Sequence, residues 1–188
     1  MTKRENFSVE RYEGGISVID AGFHRDHMAA CYMMEAGDEV AFIEVGTNSS
    51  TPRLLQTLEE QGRHREDVNY VIVTHAHLDH AGGAGSLMQA LPNATLLAHP
   101  YAARHLINPA KLEAGARAVY GDAMFDRVYG ELVPVPEHRT RIMDDGDTLQ
   151  LGNRQLLFID TPGHARHHFC VHDSVTNGWF TGDTFGLS

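Results

Sequence analysis

The chain has 188 residues, 42% of them hydrophobic, and a formal net charge of −10. This length supports one core of ordinary size, so we expect a single domain over residues 1–188. A nucleic-acid partner requires a basic surface, and the acidic charge argues against one. The N-terminal stretch MTKRENFSVERYEGG has no apolar signal segment, and no run approaches the roughly 18 apolar residues of a membrane span. These features predict a cytoplasmic protein without a membrane partner.

The first third of the chain is predicted to contain three short strands and a helix. Residues 16–21, 31–35 and 40–45 are apolar runs typical of strands, and Gly37-Asp38 suits the turn between the last two. A helix is predicted from Thr51, as N-cap, to Gly62, because proline follows the cap and leucines form an apolar stripe.

The middle of the chain alternates strand and helix patterns. Residues 69–74, NYVIVT, form a continuous apolar run typical of a strand buried on both faces. A helix around residues 87–91, a strand in residues 94–100 and broken helices over residues 100–130 follow. Four aromatic side chains of this last segment are expected to pack in the core rather than form a substrate lid: Tyr101, Tyr120, Phe125 and Tyr129.

The last third returns to strands. Residues 147–151 and 154–160 flank Gly152-Asn153, a typical hairpin turn, and strands are also predicted at 168–172 and 178–182. This order favours a mixed sheet sandwich covered by helices. Cys31 and Cys170 lie far apart in apolar runs, so we expect small buried side chains rather than a disulfide.

The stretch THAHLDHAGG, residues 74–83, places three histidines and an aspartate within six positions after a predicted strand. In an extended segment His75 and His77 project to the same side, and a bend can bring Asp79 and His80 to a neighbouring point. Two adjacent metals can use all four groups, because imidazole suits zinc and a carboxylate compensates charge. The pattern therefore favours a two-metal site over a merely polar or pH-sensitive loop.

Further metal ligands are expected at other strand ends. His164 follows the strand at 154–160 in TPGHARHH, where Pro162-Gly163 forces a turn. Asp183 follows the strand at 178–182 in TGDTFG. An aspartate alone in such a position is as often only a turn former, so this assignment depends on the other groups.

The motifs THAHLDHAGG, TPGHARHH and TGDTFG together resemble the metallo-β-lactamase-fold hydrolase superfamily, from about residue 16 to the end. The first motif is most similar to that of hydroxyacylglutathione hydrolases and related thioester and lactone hydrolases. The resemblance implies a four-layer αββα sandwich of the mixed α/β class, with the site at one edge of the two sheets. It also implies that His75, His77 and His164 hold a first metal, that Asp79 and His80 hold a second, and that Asp183 bridges both.

The chain departs from the superfamily pattern in three places. The family takes another histidine from a later strand-end loop, whereas this sequence ends at Ser188, which predicts a fragment lacking the last strands and helices. Glu44 stands where an aspartate is common, and we expect it to support a metal ligand from behind. Ala165 and His167 replace a threonine and a glycine, which weakens a glutathione-thioester assignment. His168 keeps its place, and it or His167 is expected to support a ligand or contact substrate.

The expected activity is hydrolysis of a small-molecule, ester-like substrate, with a thioester or lactone favoured over a phosphodiester. Two divalent ions, with zinc favoured and iron or manganese as alternatives, would activate a hydroxide, and Asp79 would orient it and carry its proton. One alternative is a single-iron, persulfide dioxygenase-like oxidoreductase, and another is a metal-binding fragment without turnover. If the second sheet lacks strands, its uncovered apolar face predicts a homodimer or poor solubility.

The remaining histidines lack partner spacing, and we expect them to lie outside the site. They are His24, His27, His64, His99, His105, His138 and His172.

Overall fold

The computed structural model describes residues 6–185, which form two β-sheets and six α-helices. The strands are β1 (Val9–Tyr12), β2 (Ile16–Asp20), β3 (Ala30–Ala36), β4 (Glu39–Ile43), β5 (Val68–Ile72), β6 (Thr95–Ala98), β7 (Thr140–Ile142), β8 (Thr148–Leu151), β9 (Arg154–Asp160), β10 (Phe169–Asp173) and β11 (Gly178–Phe180). The helices are α1 (Thr51–Glu60), α2 (Leu78–Ala81), α3 (Ala84–Ala90), α4 (Pro100–Ile107), α5 (Ala110–Tyr120) and α6 (Asp122–Val128). None of the helices within residues 6–185 is long and apolar enough to cross a bilayer.

The first sheet contains seven strands in the order β1 to β7. Pairing is antiparallel from β1 to β4 and parallel from β4 to β7. Its central strands are buried on both faces, as the apolar run in residues 69–74 predicts. In β4, Val40 and Phe42 pack with the helices, whereas Ala41 and Ile43 face the second sheet.

The second sheet is antiparallel, in the order β11-β10-β9-β8. Its inner face contributes Phe158, Phe169 and Val171 to a core shared with the first sheet. On its outer face Gln155 and Trp179 are exposed. Residues 6–185 therefore form helix, sheet and sheet layers of the mixed α/β sandwich, and the fold class expected from the sequence is confirmed.

Most predicted elements are present, but the start of α1 differs and the short elements β1, α2 and β7 were not predicted. Thr51 is the first residue of α1 rather than its N-cap, because a short 3-10 turn over Asn48–Ser50 leads into the helix and makes Ser50 the cap. The edge strand β1 was not predicted, since its sequence VERY is mostly polar and exposed. Both cysteines are buried and unpaired, as expected.

A buried arginine of the second sheet, Arg154, pairs with an aspartate of the same sheet and also contacts the first sheet. The guanidinium of Arg154 in β9 donates to Asp173 Oδ2 in β10 at 2.9 Å, and both residues are almost completely buried. The same guanidinium donates to the Gly14 carbonyl oxygen in the β1–β2 turn and to the Glu35 carbonyl oxygen in β3. Arg154 therefore links the β1–β2 turn and β3 of the first sheet to the second sheet.

Replacing Arg154 by methionine should lower the free energy of unfolding by about 3–5 kcal/mol, because it leaves the Asp173 carboxylate buried without its cation. Urea denaturation monitored by circular dichroism measures the change. The control is Arg65→Met, which removes an exposed ion pair with Glu59 and should cost less than about 1 kcal/mol. Equal losses for the two variants would contradict the structural role given to Arg154.

Candidate metal centre

The candidate site lies at the rim where strand ends of both sheets meet. Glu44 follows β4, His75 and His77 follow β5, His164 follows β9, and Asp183 follows β11. Asp79 and His80 lie on α2, which begins directly after His77. Carboxyl ends of neighbouring parallel strands share one sheet edge, so the β4 and β5 groups converge with those of the facing sheet.

Four of the side chains expected from the sequence form one compact group. His75, His77, His164 and Asp183 each offer a donor atom, and these atoms lie within 4.8 Å of one another. His164 Nε2 lies 2.8 Å from His77 Nδ1 and 3.3 Å from Asp183 Oδ2. Nitrogen and oxygen ligands bound to zinc at about 2.0–2.2 Å stand roughly 3–3.5 Å apart, so these two distances are close to those between ligands of one ion.

One nitrogen of this group, Nε2 of His75, lacks a hydrogen-bond partner among the described residues. His75 is fully buried, and its Nδ1 lies 3.0 Å from the Thr74 hydroxyl. A buried polar atom without a partner costs about 1–3 kcal/mol. The nitrogen lies 4.0 Å from Asp183 Oδ2, close enough for one cation to contact both. The side chains present therefore fit a metal ion.

A second group of donors adjoins the first. His80 Nε2 lies 3.0 Å from Asp183 Oδ1 and 3.6 Å from Asp79 Oδ2. Asp183 thus presents one carboxylate oxygen to His164 and the other to His80. Asp79 and Asp183 therefore both lie near His80 Nε2, but Asp79 belongs to neither compact donor group of the described residues.

Glu44 contacts the second group through His80. Its Oε2 lies 2.6 Å from His80 Nδ1, and its Oε1 accepts the Thr74 backbone N–H at 2.7 Å. Because Nδ1 of His80 faces this carboxylate, Nε2 is the nitrogen that would bind a cation after losing its proton. Glu44, His75 and His80 also form a compact donor group, but both Glu44 oxygens already have these partners. Glu44 adopts a φ of +59°, an uncommon conformation for a non-glycine residue.

The electrostatic environment differs between the two groups. Burial, followed by the charges of neighbouring histidines, lowers the pKa of His75 far below its usual range, and burial and His164 lower the pKa of His77. Burial also opposes protonation of His80, but Glu44, Asp79 and Asp183 outweigh it and raise the pKa of His80 to about 9. His75 and His77 therefore favour the neutral imidazole at neutral pH, whereas the carboxylates around His80 favour positive charge there.

His168 and His167 support the backbone around the donors instead of joining them. Buried His168 accepts the Asp183 backbone N–H through Nε2 at 3.2 Å. Gly182 permits this approach, because it has a φ of +47° and a Cβ there would lie 2.6 Å from that nitrogen. His167 Nδ1 accepts the Ala76 backbone N–H at 3.2 Å.

Two cavities open on opposite sides of the donor cluster and share Asp79 and Asp183. One, of about 570 Å³, extends towards α5 and is also lined by His77, His105 and His164. The other, of about 480 Å³, extends towards the β2–β3 loop and the residues after β11. A substrate contacting the cluster therefore has room on both sides of it.

Several site features differ from the sequence expectations or were missed. His105 was expected outside the site but lines the α5 cavity. Phe125 and Tyr129 are buried as expected, whereas Tyr120 and Tyr101 are exposed by half, and Tyr120 and Tyr129 line the same cavity. The Thr74 contact to His75 has no spacing signal in the sequence. The other six histidines outside the motifs do not belong to either compact donor group of the described residues: His24, His27, His64, His99, His138 and His172.

The sequence model of the metallo-beta-lactamase superfamily matches residues 24–187. A metallo-beta-lactamase fold-containing protein of Sulfurisphaera tokodaii is 32% identical over 125 residues, covering 64% of this chain and 46% of that protein. An acyl-coenzyme A thioesterase of Homo sapiens is 26% identical over 204 residues, covering 97% of this chain and 68% of that protein.

Among solved structures, a metallo-beta-lactamase from Cronobacter sakazakii, a variant of its HARLDQ motif, shares the fold with a TM-score of 0.69 at 21% identity. The match covers 93% of this chain and 62% of that one. The chain thus spans about half to two thirds of the length of these proteins.

Zinc should raise the melting temperature of chelator-stripped protein. At 100 times its Kd the ion contributes about 2.7 kcal/mol, which is roughly 5–10 °C for a chain of this size. Differential scanning fluorimetry measures the shift. His75→Ala should remove it, whereas His138→Ala, at an exposed position, should keep it. A full shift in the His75 variant would contradict the fit described above.

Replacing Glu44 by alanine should weaken zinc binding 10–100-fold, because His80 loses the partner that orients its ring. Competition with a chromophoric chelator measures the affinity. The control is Glu66→Ala, an exposed carboxylate whose loss should leave the affinity unchanged. Unchanged zinc affinity in the Glu44 variant would show that His80 does not depend on this contact.

Proposed function

This chain belongs to the metallo-β-lactamase superfamily, and on that premise we propose that it is a metal-dependent hydrolase of small ester-like substrates, thioesters and lactones first. Membership of the superfamily implies binding of divalent metal. The observation that carries the proposal is the compact donor group with the unpartnered, buried Nε2 of His75. That atom gives a structural reason for a cation at the rim between the two sheets.

In this proposal His75, His77 and His164 hold one metal, Asp79 and His80 hold a second, and Asp183 contacts both. The distances from His80 Nε2 and His164 Nε2 to opposite oxygens of Asp183 support the shared carboxylate. Zinc suits the imidazole-rich first group, with iron and manganese as alternatives. A bound pair of divalent ions supplies a water of lowered pKa and polarises the bond to be cleaved.

Asp79 is the residue we assign to proton transfer. Its side chain is partly exposed and lines both cavities, so it can face the attacked carbonyl and the leaving group. It would orient the attacking water, accept its proton and pass the proton to the departing sulfur or oxygen. No cysteine nucleophile is needed. Burial raises the pKa of the Cys31 thiol well above its usual range, so Cys31 is unsuited to that role.

A thioester or lactone substrate is supported by two observations. The human relative is described as an acyl-coenzyme A thioesterase. The donor cluster lies between two cavities, which can receive the two sides of a cleaved ester-like bond. A phosphodiester would add a charge beside Asp79, Asp183 and Glu44 and is the less favoured substrate.

A single-iron oxidoreductase is the second candidate. In this alternative one iron would be held by His75 or His77 together with His164 and Asp183, which lie in one compact donor group, while Asp79 lies outside the compact donor groups of the described residues. Two histidines and a carboxylate are the ligand set of many non-haem iron enzymes. The number and kind of bound metal therefore separate the two functions.

Metal analysis of protein expressed without supplementation should give close to two zinc ions per chain, and the protein should hydrolyse a thioester or a lactone faster than a bis-aryl phosphate. His77→Ala should abolish hydrolysis, because it removes a ligand at the centre of the cluster, whereas His138→Ala should retain it. Assays with both substrate classes measure the difference.

Other outcomes of the same experiment assign the chain differently. One iron per chain with oxygen uptake on glutathione persulfide supports the oxidoreductase. Substoichiometric metal without turnover supports a metal-binding chain that is inert. Hydrolysis that survives His77→Ala contradicts the two-metal scheme.

A further inference from the structure

The α5 cavity is bounded by one face of a helix. Lys111, Leu112, Gly115, Ala116 and Val119 line it, at the three- and four-residue spacing of a single helical face. His77, His164, Asp79 and Asp183 line the same cavity. A molecule that reaches the donor cluster through this cavity must therefore pass along α5.

Gly115 leaves open space in that face. It lies in the interior of α5, where glycine is a poor helix former. A Cβ built at this position meets no heavy atom within 4 Å, so neighbouring protein atoms do not require a glycine. The two half-buried neighbours along the face, Leu112 and Ala116, pack against the small core cluster around Phe125. The space beside Gly115 is therefore available to a ligand.

Lys111 supplies positive charge to the cavity. Its side chain is exposed, and it makes no ion pair with any residue in the part of the chain that the structure describes. Lys111 and Tyr120 stand nine positions apart on α5, roughly 13 Å along the axis. Because the chain carries a net charge of −10, a free cation in a cavity is a local exception that favours an anionic ligand.

We propose that α5 determines the substrate specificity of the site. Lys111 binds an anionic group of the ester-like substrate, either a carboxylate or a phosphate. The space beside Gly115 admits the apolar part of the same substrate. This proposal rests on the hydrolase function proposed above. Val119, Tyr120 and Tyr129 provide the apolar and aromatic surface for the uncharged portion. The substrate class is thus an anionic thioester or ester with an apolar segment.

The first test places a larger side chain in the open space beside Gly115. Gly115→Leu should lower kcat/KM for a thioester by about tenfold or more, because the new side chain occupies the cavity, while the melting temperature and zinc content stay at or above those of the parent. The matched control is Ala114→Leu, one position away on α5, exposed and outside the cavity lining. Unchanged kcat/KM in Gly115→Leu, or an equal loss in the control, would overturn the proposal.

The second test removes the charge. Lys111→Met should raise KM about tenfold for an anionic substrate and by less than about twofold for a neutral one. The anionic substrates are S-phenyl thioglutarate, with a carboxylate on the acyl side, and butyryl-coenzyme A, with phosphates on the thiol side. The neutral one is S-phenyl thiobutyrate. A selective loss for either anionic substrate identifies the source of the charge, and an equal effect on all three overturns the proposal.

A binding measurement separates this proposal from the proposed function. Calorimetry with 4-(phenylthio)butanoate, which has no scissile bond, should show about tenfold weaker binding to Lys111→Met and to Gly115→Leu than to the parent and Ala114→Leu. If the parent protein hydrolyses no ester but shows this binding pattern, the hydrolase function is wrong and the proposed role of α5 in ligand binding is supported. If hydrolysis occurs but neither variant changes binding or kinetics, the proposed role of α5 is wrong and the hydrolase function is supported.

Discussion

The candidate metal centre depends on the buried imidazole of His75, whose Nε2 has no hydrogen-bond partner among residues 6–185. The ring of His75 lies 4.3–5.0 Å from the rings of His77, His80, His164 and His168. Burial prevents these groups from all carrying charge, and polar atoms left unpaired at this depth are costly. Asp183 lies 3.0 Å from His80 Nε2, where positive charge is favoured, and 4.0 Å from the unpartnered Nε2 of His75, so the carboxylate and the neutral imidazole together suit a cation between them.

The donors are oriented by residues that do not belong to the compact groups of three histidines and Asp183. Thr74 contacts Nδ1 of His75, and His168 accepts the backbone N–H of Asp183. Glu44 connects the two sides, because one oxygen accepts from the Thr74 backbone and the other contacts His80. Since ligand precision depends on such supports, the strand ends act as one rigid frame.

The helix α5, which lines one cavity beside the donor cluster, is less buried than the strands that lead to the cluster. The helix α5 contributes no buried residue, whereas β4 and β5, which lead to Glu44, His75 and His77, are largely buried on both faces. The candidate metal ligands therefore lie on the well-buried edge of the sheets, whereas much of the cavity lining lies on a less buried helix and on loops. Changes in α5 can therefore alter the cavity with little effect on the central sheet.

The sequence by itself determined most of the elements and indicated which residues are candidate donors. Apolar runs specified β4, β5 and β9, and the spacing of the motif after β5 indicated metal ligands before any fold was known. The tertiary structure decided which nitrogen of His80 faces Asp183, that Glu44 bends into a left-handed conformation behind it, and that His105 and Lys111 reach the cavity. Periodicity reports only local burial, whereas these contacts join residues distant in the chain, and their geometry depends on how two sheets and a helix pack.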